Sequence, residues 1–223
     1  MNNQKNKFIN GEANCWFTRN KSAMKLDDEN TDISPYEDFI IKNLSQFHNN
    51  KIKILEIGCS NGKKLAKLRQ IFPYSDLYGI DPSKNAIKDG KNFFKNNKQI
   101  FLETGTSDEL NFSNCYFDIV IFGFCLYLVD RDLLFKSISE ADRVLKNKGF
   151  LIITDFDYNG FKKNSYHHLN GIFSYKQDYS KIFEHSGLYH TVSKISYSHI
   201  SSFFNELKEE RISSTLLFKE ISD

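Results

Sequence analysis

Two carboxylates and a pair of glycines set the chemistry open to this chain. In Ile54-Leu55-Glu56-Ile57-Gly58-Cys59-Ser60-Asn61-Gly62 an apolar run breaks into small residues and passes into a helical stretch from about Lys63 to Ile71. A strand-to-helix loop of this kind turns unpaired backbone N–H groups and the positive end of the helix dipole toward a bound ligand. Gly58 and Gly62, lacking Cβ, permit close backbone approach. The next apolar run, Leu77-Tyr78-Gly79-Ile80-Asp81, ends on an acid 19 positions after Gly62. That is near the spacing of about 20 at which a strand-end acid meets ribose hydroxyls. The plainer role for Asp81 is to cap a helix opening at Pro82-Ser83. A dinucleotide pyrophosphate would require glycine where Ser60 stands, and the like charge of Glu56 would repel it. A ligand bearing an ammonium group suits Glu56 better.

The pattern E-x-G-x-x-x-G, with an acid closing the next strand, resembles the class I S-adenosylmethionine-dependent methyltransferases, of the type 11 kind. Three further motifs follow in order. The run from Thr104 through Gly105-Thr106-Ser107-Asp108-Glu109-Leu110 to Phe112 is similar to the family's third-strand loop, and Cys115-Tyr116-Phe117-Asp118-Ile119-Val120-Ile121 to its fourth strand. Lys148-Gly149-Phe150 is similar to its turn into the fifth strand, so the resemblance spans roughly Lys51 to Asp155. It implies S-adenosylmethionine as cofactor, held by Glu56, Gly58, Cys59, Ser60, Asn61, Gly62, Asp81 and Pro82, with Gly123 and Phe124 after the fourth strand. Where the family commonly has Asp for the adenine amino group this chain has Thr106, so that role falls to Thr106, Ser107 or Asp108. Arg19 with Trp16 would close the cofactor's carboxylate end, since guanidinium geometry suits bidentate binding; a surface arginine beside a core tryptophan is the alternative. The segment Tyr166 to Lys181 is similar to a loop of small bacterial methyltransferases of surface-glycan assembly, which implies a sugar or sugar-nucleotide acceptor.

Methyl transfer from a sulfonium is an in-line displacement, so the protein's main tasks are to hold donor and nucleophile together, worth up to roughly 7–11 kcal/mol, and to exclude water. The expected reaction is transfer to a small metabolite or sugar-derived acceptor, on oxygen. His167, His168, Tyr127 and Asp155 are the candidate bases or orienting groups; surface-loop, core-aromatic and turn-acid roles are their plain alternatives. The remaining histidines lack metal-ligand spacing with any Cys or His, so no metal is expected. Two other readings stay open: a non-catalytic cofactor-binding subunit and an NAD-dependent oxidoreductase.

The elements that must position these groups alternate: strand Ile52–Ile57, helix Lys63–Ile71, strand Asp76–Ile80, helix Ser83–Phe94, strand Gln99–Thr104, strand Phe117–Gly123, helix Arg131–Leu145, strand Phe150–Phe156. This predicts an α/β fold, a Rossmann-like doubly wound sheet with helices on both faces. Runs at Thr191–Ile200 and Ser213–Glu220 bring it to seven strands, the last antiparallel. We expect one domain over 1–223: a cofactor-covering segment 1–50, a cofactor-binding core 51–156, a lid or substrate loop 157–180 and C-terminal strands 181–223. In the first segment a helix from Tyr36 to Phe47 opens at Ser34-Pro35. With 223 residues and 40% apolar content one substantial core is affordable in length. A net charge of +2 with scattered lysines lacks the basic stripe of a nucleic-acid binder. The longest apolar run, Ile119 to Val129, is too short to span a bilayer, and the N-terminus has no apolar signal core. A cytoplasmic protein is expected, its Cys15, Cys59, Cys115 and Cys125 reduced, for no C-x-x-C pair occurs. Cys59, at the mouth of a helix, is either an activated thiolate or a small residue in a tight turn. The sequence leaves the oligomeric state open.

Overall fold

The computed structural model describes residues 4–26 and 33–221. In chain order the elements are α1 (Gln4–Lys7), α2 (Ala13–Arg19), α3 (Pro35–Leu44), β1 (Lys53–Ile57), α4 (Lys63–Ile71), β2 (Asp76–Asp81), α5 (Lys84–Phe93), β3 (Ile100–Thr104), β4 (Phe117–Gly123), α6 (Leu134–Val144), β5 (Leu145–Phe156), β6 (Lys162–Ser165), β7 (Phe173–Lys176), α7 (Ser180–Glu184), β8 (Tyr189–Ser198) and β9 (Arg211–Lys219).

β1, β4 and β5 are apolar on both faces, as strands covered by helices on either side must be. The seven-stranded sheet has the order β3-β2-β1-β4-β5-β9-β8, with β9 antiparallel to both its neighbours. On one face Phe39, Ile40, Leu65, Leu68 and Ile87 cover Ile54, Leu77, Ile119 and Ile121. On the other Leu134, Ala141, Val144 and Phe183 cover Leu55, Ile57, Val120 and Leu151. A seven-stranded Rossmann-like sheet whose last strand is antiparallel is what the alternation predicts.

Most boundaries shift by one to three residues, and the larger differences from expectation lie elsewhere. The stretch read as one helix from Arg131 begins as a single tight turn, Arg131–Leu133, before α6. Leu145, read as the last helical residue, is the first of β5, because it pairs with Phe117 across a register shift ahead of Ile119. The 157–180 segment holds an antiparallel hairpin, β6 with β7, in which Lys162 faces Lys176 and Ser165 faces Phe173.

The first helices are bound to that hairpin over the carboxyl edge of the sheet. The buried Gln4 side chain donates from Nε2 to Leu128 O at 2.7 Å and Phe173 O at 2.9 Å, and accepts from Phe173 N at 2.9 Å. Tyr166 donates its hydroxyl to buried Glu12 at 3.0 Å, and Arg19 pairs with the same carboxylate. Held by the hairpin in this way, α1 and α2 roof the edge where β1, β2 and β4 end.

Beneath it the β1–α4 loop rests on α5. A Cβ at Gly90 would lie 2.3 Å from Asn61 O and 2.5 Å from Leu102 Cδ1. Gly90→Ala is therefore expected to lower stability by about 1–3 kcal/mol, in spite of alanine's better helix propensity. Denaturant unfolding checks this; a neutral or stabilising result would show that the loop does not press on the helix.

Candidate functional site

A cavity of about 700 Å³ opens at the carboxyl ends of β1, β2 and β4, under the α1–α2 roof. Of the residues singled out from sequence, Trp16, Glu56, Gly58, Cys59, Ser60, Asp81, Pro82, Thr106, Ser107, Asp108, Gly123, Phe124 and Tyr127 line it. The loop after β1 turns by left-handed conformations at Gly58 (φ +79°), Ser60 (+52°) and Gly62 (+82°). The space a Cβ would need at Gly58 is taken by Cys125, whose Cβ would be 2.6 Å away. At Gly62 the corresponding neighbours are Phe94 and Leu102, and Gly62 heads α4.

Glu56 is the most unusual group in the wall. It is 1% exposed, and among the described residues its Oε2 has no hydrogen-bond partner. Burial pushes its carboxyl up to about 7, against the pull of Lys64 and with a further push from Asp81. Lys64 Nζ stands 4.0 Å from Oε1. A Cβ at Gly123 would come within 2.5 Å of the same oxygen, so Glu56 fits only because position 123 has no side chain. Asp81 is also raised by burial, to about 6, while accepting from Ser60 N at 2.9 Å and Ser83 N at 2.8 Å. It thus braces the loop and the start of α5 from one carboxylate. Against the cost of burial, Lys5 at 2.6 Å and Thr106 hold Asp108 below its ordinary value. Ser107 Oγ lies 2.7 Å from Ser137 Oγ. Burial drives the Cys59 thiol well above its ordinary value, so it stays protonated and does not act as a nucleophile.

Other sequence candidates stand away from the cavity wall. Arg19 is engaged with Glu12 and donates to Tyr166 at 3.1 Å. Asn61 is buried and donates to Met24 O at 2.8 Å and Asp89 Oδ2 at 2.9 Å. Asp155, pushed up to about 7 by burial, accepts from Phe156 N at 2.8 Å and Tyr127 N at 3.3 Å, fixing the turn that carries Tyr127. His167 and His168 are exposed on the β6–β7 connection. Tyr36, Tyr197 and His199, which the motifs did not single out, line the cavity instead. A signal for two of them was available. β8 runs parallel to β1 because two antiparallel pairings separate it from β5, so its end at Tyr197-Ser198 falls at the ligand edge. Phe124, left-handed at φ +67°, stacks on the His199 ring at 5.1 Å.

Residues 55–153 match the Methyltransferase domain family. Demethylmenaquinone methyltransferases of Staphylococcus aureus are 32% identical over 101 residues, 45% of this chain and 41% of theirs; the chain matches about two fifths of those proteins' length. A Burkholderia thailandensis 1,6-didemethyltoxoflavin-N1-methyltransferase, solved with 1,6-didemethyltoxoflavin and S-adenosylhomocysteine, superposes with TM-score 0.70 at 11% identity over 96% of this chain and 90% of its own. A SAM-dependent methyltransferase from Methanosarcina mazei gives 0.64 at 15% identity over 79% and 96%. The matched segment, a little under half of the chain, is similar to a methyltransferase domain, and the fold is the one these structures share. Among the described residues no helix is long and apolar enough to cross a membrane.

The raised carboxyl of Glu56 has a consequence for stability. Between about 4.5 and about 7 the unfolded chain releases a proton that the folded one holds, so this group's contribution falls as pH rises through that window. Glu56→Gln, measured by denaturant unfolding without ligand, is expected to match the parent near pH 4.5 and to exceed its stability at pH 8. A gap that is constant with pH would contradict the assignment.

Proposed function

We propose that this chain transfers the methyl group of S-adenosylmethionine to an oxygen of a small acceptor with a largely apolar body. The observation that carries the cofactor half is Glu56: a fully buried carboxylate with an open Oε2, a short way along the wall from Asp81. An ammonium group satisfies Glu56, ribose hydroxyls satisfy Asp81, and Thr106, Ser107 and Asp108 flank the adenine. Cys59 and Ser60 approach through backbone, and Pro82, Gly123, Phe124 and Trp16 supply walls. Bound S-adenosylmethionine supplies an electrophilic methyl on a sulfonium.

The chain's own residues then orient the acceptor and exclude water, the N-terminal roof of α1 and α2, held by the β6–β7 hairpin, covering the cavity. The acceptor end is walled by Phe124, Tyr127, Tyr197 and His199. Burial holds the His199 imidazole below its ordinary value, against Glu210 and together with Lys176, so it is neutral at pH 7 and able to take a hydroxyl proton. That favours His199 over His167 and His168 as base, with Tyr127 as an orienting group on the turn held by Asp155. We rank an apolar acceptor ahead of the sugar or sugar nucleotide suggested by the 166–181 segment, because sugar hydroxyls call for more polar partners than an aromatic wall offers.

Asp81→Ala should weaken S-adenosylhomocysteine binding more than tenfold in calorimetry, as ribose hydroxyls lose a charged acceptor. Circular dichroism controls for folding, and unchanged affinity would leave Asp81 a helix cap. Mass spectrometry of mixtures with S-adenosylmethionine is expected to show methylated simple phenols and unchanged sugar nucleotides. The reverse would restore the sugar reading, and cofactor binding without turnover on either would favour the binding subunit.

A further inference from the structure

Tyr36 lines the cavity from the first turn of α3, and its hydroxyl has no hydrogen-bond partner among the described residues although the residue is only 6% exposed. A buried phenol left unpaired is a cost that phenylalanine would not carry. The start of α3 is fixed by Ser34 and Glu37, each side chain accepting the other's backbone N–H, so the helix sets the place of Tyr36 in the wall. Lys64 stands beside it. Its Nζ lies 5.0 Å from the centre of the Tyr36 ring and 4.0 Å from Glu56 Oε1. Burial and, next, the Glu56 charge hold the Tyr36 phenol well above its ordinary value, so it stays protonated and able to donate. One stretch of wall thus brings together an acid with an open oxygen, an ammonium and an unused hydroxyl.

These three groups select an occupant that carries both signs of charge close together. A lone cation is repelled by Lys64 and a lone anion by Glu56. An α-amino acid end suits both, with its ammonium on Glu56 and its carboxylate toward Lys64 and Tyr36. We propose that the Tyr36 hydroxyl and Lys64 form the subsite for the carboxylate of the bound cofactor; this rests on the S-adenosylmethionine reading above. Several other candidate donors are engaged elsewhere. Arg19, expected from sequence to close that end, pairs with Glu12 and donates to Tyr166. Lys5 is held by Asp108, and Lys63 donates to Ala23 O at 3.1 Å. The hydroxyls of Thr154 and Tyr197 both meet Ser214 Oγ, at 2.9 and 3.0 Å. Ser60 Oγ, also without a partner among the described residues, belongs to the loop that Asp81 braces, at the end proposed for the ribose.

The test compares S-adenosylhomocysteine with decarboxylated S-adenosylhomocysteine, which keeps the amino group and lacks the carboxylate, by calorimetry. The parent is expected to prefer the carboxylated ligand by about tenfold or more. Tyr36→Phe, which keeps the ring, should cut that preference about five- to fiftyfold while leaving the affinity for the decarboxylated ligand within about twofold. Lys64→Gln should cut the preference about two- to fivefold, because the lysine charge is partly solvated. Without ligand, Tyr36→Phe is expected to be at least as stable as the parent in denaturant unfolding, since an unpaired hydroxyl has been removed. A parent that binds both ligands alike, or a preference unchanged in either variant, overturns the proposal. So does a ligand-free Tyr36→Phe chain less stable than the parent, because the hydroxyl then has its partner within the protein. Failure of the parent to bind S-adenosylhomocysteine at all is a different result, one that overturns the methyltransferase reading itself.

Discussion

The site is organised around a carboxylate buried where water cannot reach it. An ionised acid in such a place costs several kcal/mol unless a partner offsets the loss of hydration. In Glu56 that partner is incomplete: one oxygen faces Lys64 at 4.0 Å and the other has no hydrogen bond among the described residues. The neighbouring chain is shaped to tolerate it. Gly123 has no Cβ to collide with Oε1, and Lys64 stands on the first turn of α4, directly after the loop that follows Glu56. A buried acid left half satisfied is useful when a cationic ligand completes it, and the parallel sheet places it where strand ends open onto a cavity.

The two halves of the cavity are built differently. The cofactor side comes from contiguous strand-loop-helix units, braced by Asp81, Asn61 and the contact with Gly90. Asp81 ties two backbone N–H groups together, Asn61 joins Met24 O to the Asp89 carboxylate, and Gly90 lets α5 approach Asn61 O directly. The roof and acceptor side come from segments far apart in the chain, joined by Gln4 to Phe173, Tyr166 to Glu12 and His199 to Phe124. A rigid donor site under a cover of separately attached pieces lets the acceptor region differ while the cofactor chemistry stays the same.

This difference decides how much was legible in the sequence. Glu56, the Gly58–Gly62 loop and Asp81 were readable because strand, loop and helix are adjacent in the chain, and α4 and β4 run between the residues that their apolar patterns mark. The β6–β7 hairpin was hidden, since Lys162-Lys163-Asn164-Ser165 has little strand propensity and pairs only through its partner. Leu145 continued the apolar stripe of a helix, and only its pairing with Phe117 makes it a strand residue. Tyr36, Tyr197 and His199 carry no motif; they reach the cavity through topology alone. The histidines that attracted notice, His167 and His168, sit in an exposed turn.

The central claim is that Glu56 holds the ammonium and Asp81 the ribose of one S-adenosylmethionine molecule. A crystal structure of the chain with S-adenosylhomocysteine tests it directly. The account predicts the ligand's ammonium within hydrogen-bond distance of the Glu56 carboxylate and its ribose hydroxyls on Asp81. A ligand bound with its amino group elsewhere, leaving Glu56 Oε2 still without a partner, would contradict it.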